Sequence, residues 1–132
     1  MKHFTRTFVA ILLTGLACAL AGCPRFAYVL VFNHSDHDVR LSVNGEDRGL
    51  IAKGSTLKAR FDGYTLEILH GTDRWTYDRE IPHRGENGPF FDGTLRLQLE
   101  SNGFLYALRK DDVPPVDSHS EQPSGFPLKP KT

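Results

Sequence analysis

Leu57-Lys58-Ala59-Arg60-Phe61-Asp62-Gly63-Tyr64-Thr65-Leu66-Glu67-Ile68 is the stretch on which the fold reading turns. Leu57, Ala59 and Phe61 alternate with Lys58 and Arg60, and Tyr64, Leu66 and Ile68 resume the alternation. A period of two is the signature of a strand with one face on a core. Asp62-Gly63 between the runs carries tight-turn chemistry, because glycine accepts positive φ without strain. The spacing predicts a hairpin with Phe61 against Tyr64, Ala59 against Leu66, Leu57 against Ile68 and, on the outer face, Lys58 against Glu67. A slip of one residue would turn the apolar set toward water.

The same pattern continues in both directions. A loop at 70–73 places Ile68 opposite Trp75 and Leu66 opposite Tyr77, so both aromatics read as core rather than as an exposed stacking platform. Leu95, Leu97 and Leu99 alternate with Arg96, Gln98 and Glu100, and Asn102-Gly103 then turns the chain. That sets Leu99 against Tyr106 and Leu97 against Leu108. Upstream, Val39, Leu41 and Val43 alternate with Arg40 and Ser42. Taking 44–47 as a four-residue loop places Leu41 opposite Leu50 and Val39 opposite Ala52. Residues 26–32 are continuously apolar, as in a strand covered on both faces. No helical period follows position 26. Short strands joined by tight turns predict an all-β fold, a small antiparallel sandwich or barrel built as a meander of about seven to eight strands. Two stretches break the pattern. Residues 80–93 read as a long loop, and 111–132 hold five of the eight prolines, predicting a disordered Pro-rich tail.

The N-terminus has a different character. Lys2, His3 and Arg6 precede an apolar run over 8–20, the order of a secretory leader. The run is short for a membrane span, which needs about 20 apolar residues. It closes on Leu20-Ala21-Gly22-Cys23, which resembles the lipobox of bacterial membrane lipoproteins. Cys18, behind Gly15-Leu16-Ala17, is the poorer match. The resemblance implies that 1–22 is a signal peptide and that the Cys23 thiol takes a diacylglyceryl group with palmitate-like chains. Two or more chains hold a protein stably on a bilayer. The expected organisation is leader 1–22, lipid-anchored β-domain 23–110 and tail 111–132. Only Pro24 and Arg25 precede the apolar strand, so the domain should sit against the membrane. Pro24 stands where such proteins carry an Asp for inner-membrane retention, which favours the outer membrane of the cell envelope.

Basic and acidic side chains are equal in number, 16 of each, and the leader takes Lys2 and Arg6 with no acid. The slightly acidic mature chain has no basic stripe, which argues against nucleic acid as a partner. With Cys18 lost and Cys23 lipidated, no disulfide, thiolate metal site or cysteine nucleophile is expected in the domain. No Gly-x-Ser-x-Gly elbow, phosphate loop or dinucleotide pattern occurs. The chain therefore reads as a non-enzyme without cofactor.

Two clusters are candidate sites. His34, Asp36, His37 and Asp38 have the donor types for zinc or copper; as neighbours of Asn33 and Ser35 between strands they read first as a polar turn. In the 80–93 loop, Phe90 and Phe91 would offer an apolar contact rimmed by Arg84 and Glu86, a combination enriched at protein interfaces; the alternative is a phenylalanine plugging an open end of the sandwich. The leading expectation is an interaction or structural module held at a membrane, with another envelope protein as partner. A second is an inhibitor of a lysozyme-like or other envelope-attacking enzyme: the chain is similar in size, class and anchoring to small all-β lipoproteins that inhibit lysozyme, but lacks their common disulfide. A third is a carbohydrate-active or metal-binding protein, to which Glu80, Glu86 and Asp92 would contribute carboxylates.

Overall fold

The computed structural model describes residues 28–61, 65–77 and 88–131. Within them nine strands form two sheets: β1 (Tyr28–Asn33), β2 (Val39–Val43), β3 (Glu46–Ile51), β4 (Thr56–Arg60), β5 (Leu66–His70), β6 (Asp73–Tyr77), β7 (Thr94–Leu99), β8 (Leu105–Ala107) and β9 (Pro130–Lys131). One sheet has the order β4-β1-β7-β8 and the other β3-β2-β5-β6-β9. The protein is a small all-β sandwich. No helix among the described residues is long and apolar enough to cross a membrane.

The core follows from alternation. Val29 and Val31 of β1, Ala59 of β4, and Leu95, Leu97 and Leu99 of β7 point into the sandwich. Val39, Leu41 and Val43 of β2 meet them with Leu66 and Ile68 of β5 and Tyr77 of β6. Each valine, leucine or isoleucine among them contributes about 1.5–3 kcal/mol when fully buried. The β5–β6 hairpin has the expected register, Leu66 with Tyr77 and Ile68 with Trp75.

Other expectations are corrected. The sandwich is not a meander. β4 pairs with β1, with Ala59 opposite Val29, while β5 pairs with β2, with Ile68 opposite Leu41. The 57–68 stretch therefore crosses between sheets instead of folding on itself, and its Asp62-Gly63-Tyr64 corner lies outside the described residues. β1 and β7 run parallel, with Val31 opposite Leu97. β1 is an interior strand of its sheet, with β4 on one side and β7 on the other. In the β2–β3 hairpin the turn is the two-residue Asn44-Gly45, both with positive φ (55° and 78°). This is the geometry that suits the twist of paired strands. A bulge between Leu41 and Ser42 then re-phases the pair, so Ile51 rather than Leu50 faces the core and Leu50 is exposed. In β7–β8 the partners are Leu99 with Leu105 and Leu97 with Ala107, one residue from expectation.

The Pro-rich segment is corrected most. Residues 111–131 lie on the sandwich instead of forming a disordered tail. The buried Gln98 side-chain amide donates to the Val116 carbonyl (2.9 Å) and accepts from the Val116 N–H (2.8 Å). The Gln122 amide does the same to Ala107, accepting from its N–H (2.8 Å) and donating to its carbonyl (3.0 Å). Leu128 exchanges both backbone hydrogen bonds with Leu105 and is buried. β9 then lies beside β6, closing the gap between the sheets. Composition averaged over the segment hides this, because two glutamines and Leu128 do the fastening.

Strand direction gives the sandwich two distinct ends. β1 starts at Tyr28 and finishes at Asn33. At the Asn33 end lie the connections 34–38, 52–55, 71–72 and 100–104. At the Tyr28 end lie the 44–45 turn, the start of β5 and the end of β6.

Candidate functional site

Asn33 organises its end of the molecule. It has no solvent exposure. Its Nδ2 donates to the carbonyls of His37 (2.7 Å) and Ile51 (2.9 Å), and its Oδ1 accepts from the N–H (3.0 Å) and hydroxyl (2.5 Å) of Ser35. One side chain thus fixes the 34–38 turn and ties it to β3 in the opposite sheet.

That turn spreads its polar groups among different partners. His34 Nδ1 lies 3.0 Å from Glu100 Oε2. Asp36 accepts from the Ser101 hydroxyl (3.2 Å), and Asp38 accepts from the Lys53 N–H (2.9 Å). The His37 ring meets the His70 ring edge-on, with centroids 4.7 Å apart, and His70 stacks on Trp75 at 5.0 Å with planes 8° apart. The four residues considered for metal are therefore not drawn to one point. Among the described residues no group of three or more His, Cys, Asp or Glu is placed to hold a metal ion.

What the end does present is a rim of two clusters. One is the His37–His70–Trp75 ladder. Trp75 is partly buried, seated against Gly103 in the 100–104 turn. The second gathers around Glu100, whose carboxylate also approaches Nε2 of His119 (3.4 Å) and accepts from the Gln98 amide (2.6 Å). His119 in turn stacks on Tyr106 with centroids 4.0 Å apart. Chemically the rim offers imidazole N–H groups, a carboxylate and flat ring faces. These groups suit hydrogen bonding and stacking with a peptide or a sugar. His70, Trp75, Glu100, Tyr106 and His119 were not legible as a site. Trp75 is only half committed to the core, and His119 reaches Tyr106 only because the C-terminal segment docks.

The other end holds Phe90 and Phe91. Phe90 and Phe91 do not form an exposed contact; they are 8% and 6% exposed. Phe91 packs on Phe126, with ring centroids 5.8 Å apart, and the Arg109 guanidinium lies 5.3 Å from the Phe90 ring centre. The apolar pair closes the sandwich behind the 3-10 turn Gly88–Phe90, because two phenylalanines contribute more inside a small core than in water. Arg84 and Glu86 lie outside the described residues, as do Glu80 and the lipobox residues Leu20, Ala21, Gly22 and Cys23.

Among the described residues, three ionisable groups are displaced from their ordinary values. The Arg40 guanidinium beside Asp47, helped by the Gly49 N–H, lowers the Asp47 carboxyl. Arg96, at 2.8 Å, does the same for Asp92. Burial pushes the Tyr77 phenol up; its hydroxyl donates to the Gly103 carbonyl at 2.7 Å. All three are structural and none lies in the rim clusters.

No family model matches the chain, and no curated protein or solved structure resembles it at a significant level.

Proposed function

We propose that the protein is a non-enzymatic binding module of the bacterial cell envelope, anchored through lipid on Cys23, which offers the rim at its Asn33 end to another envelope protein. The observation that carries this reading is strand direction. Tyr28, five residues after Cys23, opens β1 at one end of the sandwich, and β1 delivers His34 and His37 to the other. A tether at the first end turns the rim away from the bilayer. The rim supplies ring faces and hydrogen-bonding groups from strand ends, from the 100–104 turn and from the 34–38 turn that Asn33 holds, and binding residues commonly sit on loops carried by a rigid scaffold.

Site-specific photocrosslinking in the native envelope tests the reading. A photoreactive residue at Lys53 or Asp73, both exposed at the Asn33 end, should give a discrete protein adduct, and one at exposed Glu46 near the opposite end should not. Adducts from Glu46 alone, or from none of the three, would contradict it.

A further inference from the structure

We propose that the outer face of the β4-β1-β7-β8 sheet, at its Tyr28 end only, docks on an anionic phospholipid surface, so that this corner of the domain rests on the bilayer that holds its anchor while the Asn33 end stands clear of it. This deepens the lipid-anchor reading and rests on it.

The register builds the face. Tyr28 is opposite Arg60 and Leu30 is opposite Lys58. Alternation sends these four outward while Val29 and Ala59 enter the core. Tyr28 is 40% exposed, and Lys58 Nζ stands 4.4 Å from its ring centre. Lys58 and Arg60 are exposed, and among the described residues no carboxylate pairs with either. On the next strand Arg96 is neutralised by Asp92, and exposed Lys110 acts on the same carboxyl. Leu30, Phe32, Leu108 and Pro114 line an open groove of about 260 Å³ beside them. Val113, next to Pro114 on the segment that borders this groove, is 83% exposed. Asp111 and Asp112 are the acids of that segment beside Val113; Asp112 lines the groove and accepts a hydrogen bond from the Arg109 N–H. Near Tyr28 the face is therefore cationic with an aromatic and an aliphatic side chain at its centre. Aromatic rings sit well at the headgroup level, and basic residues are drawn to anionic lipid.

Chain length commits the face to a bilayer. Tyr28 stands five positions after Cys23, so the link spans at most about 18 Å even when fully extended. The Debye length is about 8 Å at physiological ionic strength. Lipid on Cys23 would keep Lys58 and Arg60 within roughly two screening lengths of the headgroups, where even weak attraction decides orientation. The ordinary alternative is that Lys58 and Arg60 only protect β4, an edge strand, from pairing with other chains. That role has no dependence on lipid charge.

The test uses the native mature protein, with mass spectrometry first reading the state of Cys23. If lipid is present, the protein is reconstituted in vesicles containing brominated lipid, with or without 30% phosphatidylglycerol. A Tyr28→Trp variant is compared with the parent, whose single tryptophan, Trp75, reports the opposite end. The expected result is quenching of the added tryptophan in anionic vesicles, reversed by Lys58→Gln with Arg60→Gln, while Trp75 is unaffected. Equal quenching in neutral and anionic vesicles, or none, overturns the proposal. If Cys23 is bare, the anchor reading fails and flotation with the same vesicles tests the face alone. Binding to anionic vesicles, weakened roughly 25-fold by the double substitution at about fivefold per basic residue, supports it; no flotation overturns it. Both substituted residues are exposed, and an unchanged melting temperature verifies the fold.

Discussion

Asn33 and Gly103 show how much of this fold depends on single positions that alternation does not mark. Asn33 makes four hydrogen bonds inside the protein. Losing them strands the buried Ile51 carbonyl and the buried Ser35 N–H, so Asn33→Ala should lower the unfolding free energy by about 3 kcal/mol in urea denaturation. Gly103 adopts φ +84°, and a Cβ there would stand 3.0 Å from Pro130 and 3.1 Å from Trp75. Gly103→Ala should therefore cost about 2 kcal/mol and disturb the environment of Trp75, read by its emission. Tyr77 adds a pH dependence. A phenol whose folded pKa is raised contributes stability that is complete below its unfolded value, about 10, and is lost as pH climbs toward the folded value. The wild-type protein should weaken above about pH 10 more than Tyr77→Phe, which itself loses about 1 kcal/mol at neutral pH. Asp47 and Asp92 work in the other direction: lowered carboxyls stabilise above their ordinary pKa and cease to as pH falls through the folded value. Both are exposed, so salt screens most of that contribution.

Among elements, the C-terminal segment depends on two side chains acting as substitute strands. Gln98 and Gln122 each present an amide oxygen and an amide N–H to one backbone residue, as a neighbouring strand would. Gln98→Ala should cost about 2 kcal/mol and open residues 111–122 to limited proteolysis, with β7 and β8 still protected. Gln122→Ala should expose the β8 edge more locally. These contacts also explain which parts of the fold the sequence reveals. The strand segments themselves were legible, because Leu95-Leu97-Leu99 or Val39-Leu41-Val43 alternate wherever they pair. The β5–β6 register was legible because His70 and Asp73 close a two-residue turn. The partner of β4 was not. Leu57, Ala59 and Phe61 satisfy the same pattern against β1 as against β5, and nothing local reports a change of sheet. The bulge at Leu41/Ser42 was equally silent. Of the candidate site, the polar turn 34–38 was visible, but its companions His70, Glu100 and His119 come from three distant segments joined only by folding.

For the whole molecule, the parallel β1–β7 pair at the centre has a functional consequence. It fixes Tyr28, Arg60 and Thr94 at one end and Asn33 and Leu99 at the other. The sandwich therefore has polarity: a short link toward Cys23 at one end and imidazoles, Trp75 and Glu100 at the other. In the account proposed here, lipid holds the first end, the cationic face around Tyr28 settles on headgroups, and the rim meets a partner. The most direct measurement of its central claim is the intact mass and N-terminal peptide of the protein isolated from its native membrane. The account predicts a chain beginning at Cys23 with a thioether-linked diacylglycerol; an unmodified thiol at Cys23, or a chain still carrying residues 1–22, would contradict it.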